Sequence, residues 1–277
     1  DIDWYATPRR LSLLITDLDI TQKDKELQRR GPSISAAFDK NKNPTKATLG
    51  FAKSCGVKVE ELKKLETEKG VWLVFNSILK GKNTNEIIPH LIEKSLVRLP
   101  ITKRMRWGNH NVEFVRPIKW VLILFGNKSL NCKIMDIESG AYSYGHRYHH
   151  PDALKISKPN EYNEILKNKG YVIADYNERL SLIKSQITSV AKDKKGNVII
   201  DPELLDEVTS LVEWPISFVG SFDSKFLELP KEVLIAAMQD NQKYFPIVNN
   251  DDELMPLFIC VSNIKSKDCE LIKKGNE

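Results

Sequence analysis

The clearest hydrophobic period in the chain lies in DPELLDEVTSLVEWP, residues 201–215. Leu204, Leu205, Val208, Leu211 and Val212 fall on one helical stripe. Asp201 can cap that helix, Pro202 suits its first position, and Pro215 ends it. The same spacing predicts a helix with Leu180, Ile183, Ile187 and Val190 on one side, opened by an Asp175/Glu178 capping box. A third helix carries Ile165 and Leu166, with Asn160 as cap and Gly170 as stop. A fourth follows Pro230, with Val233, Leu234, Ala237 and Met238 inward. In the first half, Pro44 suits the first turn of a helix with Ala47, Phe51 and Ala52 on one face and Gly56 at its end. A stripe of Leu91, Ile92, Ser95, Leu96 and Leu99 predicts another helix from about Pro89 to Leu99.

Strand patterns interleave with these helices. Arg9 to Leu18 is apolar and strand-like, and Val71 to Leu79 is rich in β-branched and aromatic residues. Ile118 to Gly126 is apolar on both faces and predicts a buried strand. Gly31 to Ser33 reads as a turn. YFPIVNNDDELMPLFICV reads as a β-hairpin turned by Asn249 to Asp252. No internal repeat appears. The pattern predicts an α+β fold in two lobes, residues 1–150 and 151–277, joined around HRYHHPDA.

Composition narrows the class. The chain has 277 residues, 41% hydrophobic and 29% charged, which is globular rather than disordered. Its longest apolar run, Trp120 to Phe125, is far short of the roughly 20 residues a membrane helix needs. Four cysteines, Cys55, Cys132, Cys260 and Cys269, are scattered without a C-x-x-C pair, so free thiols in a reducing cytoplasm are expected. The net charge of +5 permits an anionic partner without demanding one. The start at Asp1 and the stop at KKGNE read as a piece of a longer protein.

The candidate chemistry is sparse. No phosphate-cradling glycine motif and no G-x-S-x-G elbow occurs. His146, His149 and His150 lie close to Asp152, but their spacing runs into a proline and no second ligand pair follows. Hydrogen-bonding or surface histidines account for them better than a metal site. The stretch MRWGNHNVEFVRPIKW, preceded by Lys103 and Arg104, mixes basic and aromatic residues. Arg104, Arg106, Arg116 and Lys119 could grip phosphate while Trp107 and Trp120 stack on bases. Equally, the tryptophans could be core anchors with arginines stacked on them. QKYFP, with Lys243 and Tyr244, has the same ambiguity. The pattern leaves both readings open.

Longer phrases carry a resemblance. ATPRRL, RGPSISAAFD, NPTKATLGFAKSCG, MRWG with FVRPIKW, GHRY, VIADYNER, LVEWP, QKYFP and VSNIKSKD occur in one order. Together they resemble the β subunit of the bacterial tetrameric glycyl-tRNA synthetase, over essentially the whole chain. The resemblance implies a fold similar to the B3/B4-type domains of the phenylalanyl-tRNA synthetase β subunit. It implies partners in the α subunit and glycine tRNA, with neither DNA nor membrane. ATP and magnesium would be used by the α2β2 holoenzyme, with glycyl-adenylate formed on α and no cofactor or catalytic residue in this stretch. It also implies that a long C-terminal part, with a helical HD-type domain and tRNA- and anticodon-binding regions, follows GNE.

In that setting the basic-aromatic residues have an anionic partner. The expectation is that MRWG and GHRY face each other across one cleft. Arg106, His146 and Arg147 would offer donors there, and Trp107 and Trp120 would form the floor. Two other roles are distinguishable. A hydrolytic domain acting on mischarged tRNA would show itself in a deacylation assay, although no convincing acid–base pair supports it. A docking platform would bind α without tRNA affinity.

Overall fold

The computed structural model describes residues 1–68 and 70–265. Cys269 and the end of VSNIKSKD lie outside these residues. The chain forms two compact units, one made of residues 1–18 and 95–277 and the other of residues 19–94. Residue 150, where the sequence places the join between lobes, falls inside the first unit. Strands and helices alternate in several small sheets, as an α+β fold requires. Among the described residues, no helix is long and apolar enough to cross a membrane.

The first unit opens with an antiparallel hairpin, β1 (Ile2–Thr7) and β2 (Arg10–Ile15), in place of the single strand expected from Arg9 to Leu18. Its register pairs Ile2 with Ile15, Trp4 with Leu13 and Ala6 with Leu11. Cross-strand partners share a face. One face therefore presents Ile2, Trp4, Leu11, Leu13 and Ile15, all exposed. The opposite face turns Tyr5, Arg10 and Ser12 toward the protein, and the Ser12 and Tyr162 hydroxyls lie 2.7 Å apart.

The second unit is a three-stranded antiparallel sheet with helices. β3 (Lys25–Ser33) leads into α1 (Ile34–Ala37) and α2 (Lys46–Cys55). β4 (Lys63–Thr67) and β5 (Gly70–Leu79) complete the sheet in the order β3-β5-β4. Gly31 to Ser33 ends a strand rather than forming a turn. Glycine stands there because a Cβ would come within 2.4 Å of the Phe51 ring of α2. α2 closes on Gly56 in the left-handed region, as expected, but Thr48 rather than Ala47 joins Ala52 in the buried face. α3 (Thr84–Arg98) begins five residues before Pro89 and carries that proline inside it. The missing Pro89 N–H leaves the Asn85 carbonyl without its helical donor.

Back in the first unit, the expected strand Ile118 to Gly126 is broken. β6 (Val121–Leu122) and β7 (Leu124–Phe125) have different partners. β7 turns through Gly126 onto β8 (Lys128–Ser129). β9 (Lys133–Ile134) pairs with β10 (Ile137–Gly140), which takes β6 in parallel. The partner changes at Ile123, whose carbonyl accepts from Leu130 N–H at 3.0 Å. β11 (Tyr142–Tyr144) and β12 (Ala153–Lys155) form a further hairpin.

The main core follows. α4 (Tyr162–Asn168) is preceded by a tight 3₁₀ turn that starts at Pro159, so Asn160 lies within that turn and does not cap the helix. In α5 (Tyr176–Asp193), the Asp175 carboxylate accepts from Glu178 N–H at 2.8 Å. The Glu178 carboxylate instead meets Lys167 Nζ at 2.5 Å, so only half of the expected capping box forms. α6 (Pro202–Leu211) follows β13 (Asn197–Val198), and Asp201 caps it as the sequence predicts. α5 and α6 lay Ile183, Ile187, Leu204, Leu205 and Val208 against Phe245, Ile247 and Ile259 of the last sheet. That sheet has the order β13-β15-β16-β14, with β14 (Ile216–Ser221), β15 (Phe245–Val248) and β16 (Leu254–Ser262). β15 and β16 are the expected hairpin. α7 (Lys231–Ala236) runs into a wider π turn, Ala237–Gln242, which turns Met238 inward but leaves Val233 and Ala237 exposed, against expectation.

Candidate functional site

The turn between β1 and β2 delivers Thr7, Arg9 and Arg10 to the interior of the first unit. Arg10 Nη1 pairs with Glu213 Oε1, and both side chains are almost wholly buried. Its other amino group donates to the Tyr144 carbonyl at 2.7 Å and to the Gly145 carbonyl at 3.1 Å. Thr7 Oγ1 donates to the same Glu213 oxygen at 2.7 Å. Arg9 Nη1 donates to the Gly145 carbonyl at 3.1 Å and lies 3.6 Å from Glu213 Oε2. Burial lowers the Arg10 pKa from its ordinary value, and the Glu213 carboxylate acts in the opposite direction. A buried carboxylate and guanidinium survive there because each is paired and hydrogen-bonded.

A second arginine does related work. Arg179, fully buried, donates to the carbonyls of Thr209 (3.0 Å), Ile173 (2.6 Å) and Ala6 (2.7 Å). One side chain thus ties α5, α6, the preceding loop and β1 together. Asn263 Oδ1 accepts from the N–H groups of Glu213 and Trp214 at 2.7 and 3.1 Å. The chain after α6 is held in place from that side as well.

GHRY packs onto this junction. Gly145 is obligatory because a Cβ would lie 2.4 Å from the His150 carbonyl oxygen and 2.9 Å from that of Gly170. His146 is fully buried and its N–H donates to the Gly170 carbonyl at 2.7 Å. Its Nδ1 accepts from Tyr148 and His149 N–H at 3.2 and 3.3 Å, which fixes the neutral ring with its proton on Nε2. Burial pushes its pKa down, with the nearby Asn263 side chain acting in the opposite direction. His149 stacks on His146 at 4.7 Å, and its Nε2 accepts from Lys265 N–H at 3.0 Å. The histidines therefore serve the backbone. Among the described residues, no three His, Cys, Asp or Glu side chains are grouped to hold a metal ion.

Of the residues singled out in the sequence, Trp120 and His146 lie in this junction. Trp120 packs 5.2 Å from Tyr144, with the Arg9 and Arg10 guanidinia 5.6 and 5.7 Å from its ring. Arg116 reaches the Pro8 carbonyl beside it. The other residues lie elsewhere. Arg104 donates to the Val97 and Leu99 carbonyls at the end of α3. Met105 and Phe114 close a small loop. Within it Trp107 lies 5.7 Å from His110, and Arg106, two-thirds exposed, is 3.9 Å from Glu113. Lys119 and Arg147 are exposed. Lys243 pairs with Glu207 at 2.9 Å, and Tyr244 is buried, stacked 4.3 Å from Phe258.

Sequence reasoning missed Arg9, Arg10, Arg179, Glu213 and Asn263 as a group. A signal existed for Glu213, a lone carboxylate between the apolar Val212 and Trp214, where only a partnered charge is tolerated. Cys55 and Cys132 are free thiols, as expected.

These features define an α+β protein in which polar residues join distant chain segments, and ATPRRL, GHRY, VIADYNER and LVEWP all meet at one ionic junction. A family model described as Glycyl-tRNA synthetase beta subunit matches residues 1–277. The glycine–tRNA ligase β subunit of Hahella chejuensis is 48% identical over 277 residues, which is all of this chain and 40% of the relative. That of Marinobacter nauticus is 46% identical over 277 residues, with the same coverage. That of Azotobacter vinelandii is 45% identical over 274 residues, covering 99% of this chain and 39% of the relative. The chain belongs to the glycyl-tRNA synthetase β-subunit family and spans about two-fifths of the length of these curated relatives.

Two outcomes follow from the junction. Glu213→Ala leaves Arg10 charged and unpaired, and it should cost about 3–5 kcal/mol in urea unfolding; a loss below about 1 kcal/mol would show that the pair is not structural. The depressed pKa of His146 means the folded state prefers the neutral ring. Its contribution to stability is complete above the unfolded value of about 6.5 and is lost as pH falls through the lower folded value. Stability should therefore drop between neutral and mildly acidic pH, and His146→Gln should flatten that drop. An unchanged pH profile in the variant would refute the assignment.

Proposed function

We propose that this chain is the tRNA-handling and assembly part of the β subunit of a glycine–tRNA ligase. In this reading the α2β2 holoenzyme attaches glycine to its tRNA with ATP and magnesium, and glycyl-adenylate forms on α. The chain contributes no catalytic group, and its fold follows the B3/B4 type. The observation that supports this most is the use of the polar groups in the family's phrases. Arg10, Glu213, Arg179 and His146 are buried and committed to the backbone or to one another. What they build is a scaffold, and exposed side chains remain for the partners.

Arg106 and Arg147 are the exposed basic members of MRWG and GHRY, and neither anchors the core. In the holoenzyme, Arg106→Ala/Arg147→Ala should change stability by no more than about 0.5 kcal/mol, as surface substitutions do. The same variant should bind glycine tRNA more weakly and charge it more slowly. Lost stability with unchanged binding would make both residues structural. The assembly half of the reading rests on the open hairpin face of Ile2, Trp4, Leu11, Leu13 and Ile15. Five exposed apolar side chains side by side on one sheet face are typical of a protein contact. Leu13→Glu should weaken capture of the purified α subunit by the β subunit without unfolding it, and undiminished capture would remove α from this face.

A further inference from the structure

The chain's excess positive charge is not shared between its two units. Residues 19–94 hold 15 lysines and arginines against 10 aspartates and glutamates, while the remaining residues hold 27 of each. The whole net charge of +5 therefore sits in the 19–94 unit. Ion pairs are frequent in the other unit, where Arg10–Glu213, Lys167–Glu178, Lys231–Asp252 and Lys243–Glu207 all lie. In the 19–94 unit, several carboxylates are spent on backbone N–H groups. Asp24 accepts from Gly81, Asp39 from Asn41 and Asn43, and Glu61 from Lys58. None of them neutralises a lysine.

The sheet arranges part of this charge. Arg30 of β3 and Lys63 of β4 are both register partners of Val74 on the central strand β5. Cross-strand partners project on one side, so the two cations flank the buried Val74 on the same face, with backbones about 10 Å apart. Arg30 lies 3.6 Å from the centre of the Trp72 ring, which holds its guanidinium flat while leaving the edge open to an acceptor. Next along the same face, Gln28 Nε2 donates to Asn76 Oδ1 at 3.1 Å. A stacked arginine, an unpaired lysine and an amide pair on one sheet face suit a nucleic-acid backbone. They supply charge for phosphate and uncharged donors for sugar hydroxyls.

We propose that the 19–94 unit is an RNA-backbone-binding unit whose grip is centred on Arg30 and Lys63 over Trp72. The identity of the RNA as tRNA rests on the function proposed above. Contacts of this kind release counterions, so they contribute to the slope of log affinity against log salt.

The test is binding of glycine tRNA to the holoenzyme over a range of salt, for the wild type, Lys63→Gln, Lys63→Arg and Arg30→Gln/Lys63→Gln. Lys63 is exposed and makes no side-chain hydrogen bond or ion pair among the described residues, so its single variants are not expected to perturb folding. The expected result is weaker binding by Lys63→Gln with a slope smaller by about 1, a reduction of about 2 in the double variant, and retention of slope by Lys63→Arg. Wild-type binding with unchanged affinity and slope in Lys63→Gln and the double variant overturns the inference and leaves the tRNA-handling reading standing. Absence of salt-sensitive tRNA binding by the wild type overturns that reading itself, and the inference with it.

Discussion

The pairing of Arg10 with Glu213 is the interaction on which the larger unit depends. It joins residues 203 positions apart, with both side chains buried. Isolated, either charge would be intolerable there; together, with Thr7 and the Tyr144 and Gly145 carbonyls, they neutralise each other and fill most of their hydrogen-bonding capacity, with Arg10 Nε left without a partner. The pair also dictates its surroundings. Gly145 must lack a side chain so that its loop can close against the His150 and Gly170 carbonyls. Arg179 then fixes the α5 and α6 ends from the other side through the carbonyls of Ile173, Thr209 and Ala6. An apolar contact would hold these segments with less directional demand. The ionic junction specifies one arrangement of the hairpin, the GHRY loop and the end of α6.

That arrangement was only partly legible in the sequence. α5 and α6 were readable because their apolar periods and Asp caps are local signals. The hairpin of β15 and β16 was readable because its turn residues are polar and specific. The break at Ile123 was not, since a continuous apolar run does not reveal that its two halves pair with different strands. Gly31 reads as a turn residue in the sequence because close packing against Phe51 and turn formation favour the same residue. The junction was hidden for a related reason. Arg10 looks like a surface residue taken alone, and Glu213 between Val212 and Trp214 signals that it needs a partner without saying which; only their long-range pairing permits burial. For Trp120 and His146 the pattern leaves open whether they face a ligand or a core, because both settings favour the same residue types.

The physical division of labour is between buried polar groups that join segments and exposed groups that remain free. The larger unit is neutral overall, and its polar side chains are heavily used in ion pairs and backbone bonds. The 19–94 unit carries the chain's net charge, part of it in the exposed Arg30 and Lys63. One hairpin face keeps its apolar side chains in solvent. In chemical terms the first surface suits a polyanion and the second another protein.

The claim that the junction is a scaffold is tested most directly by exchanging its charges for apolar side chains. Arg10→Met, Glu213→Leu and the double variant would be compared for unfolding free energy and for glycine-tRNA charging in the holoenzyme. A scaffold predicts that each single variant is strongly destabilised and that the double variant regains most of the stability. Charging should return with stability in the double variant. A double variant as stable as the wild type but unable to charge tRNA would contradict the account, because the buried charges would then be acting in the reaction itself.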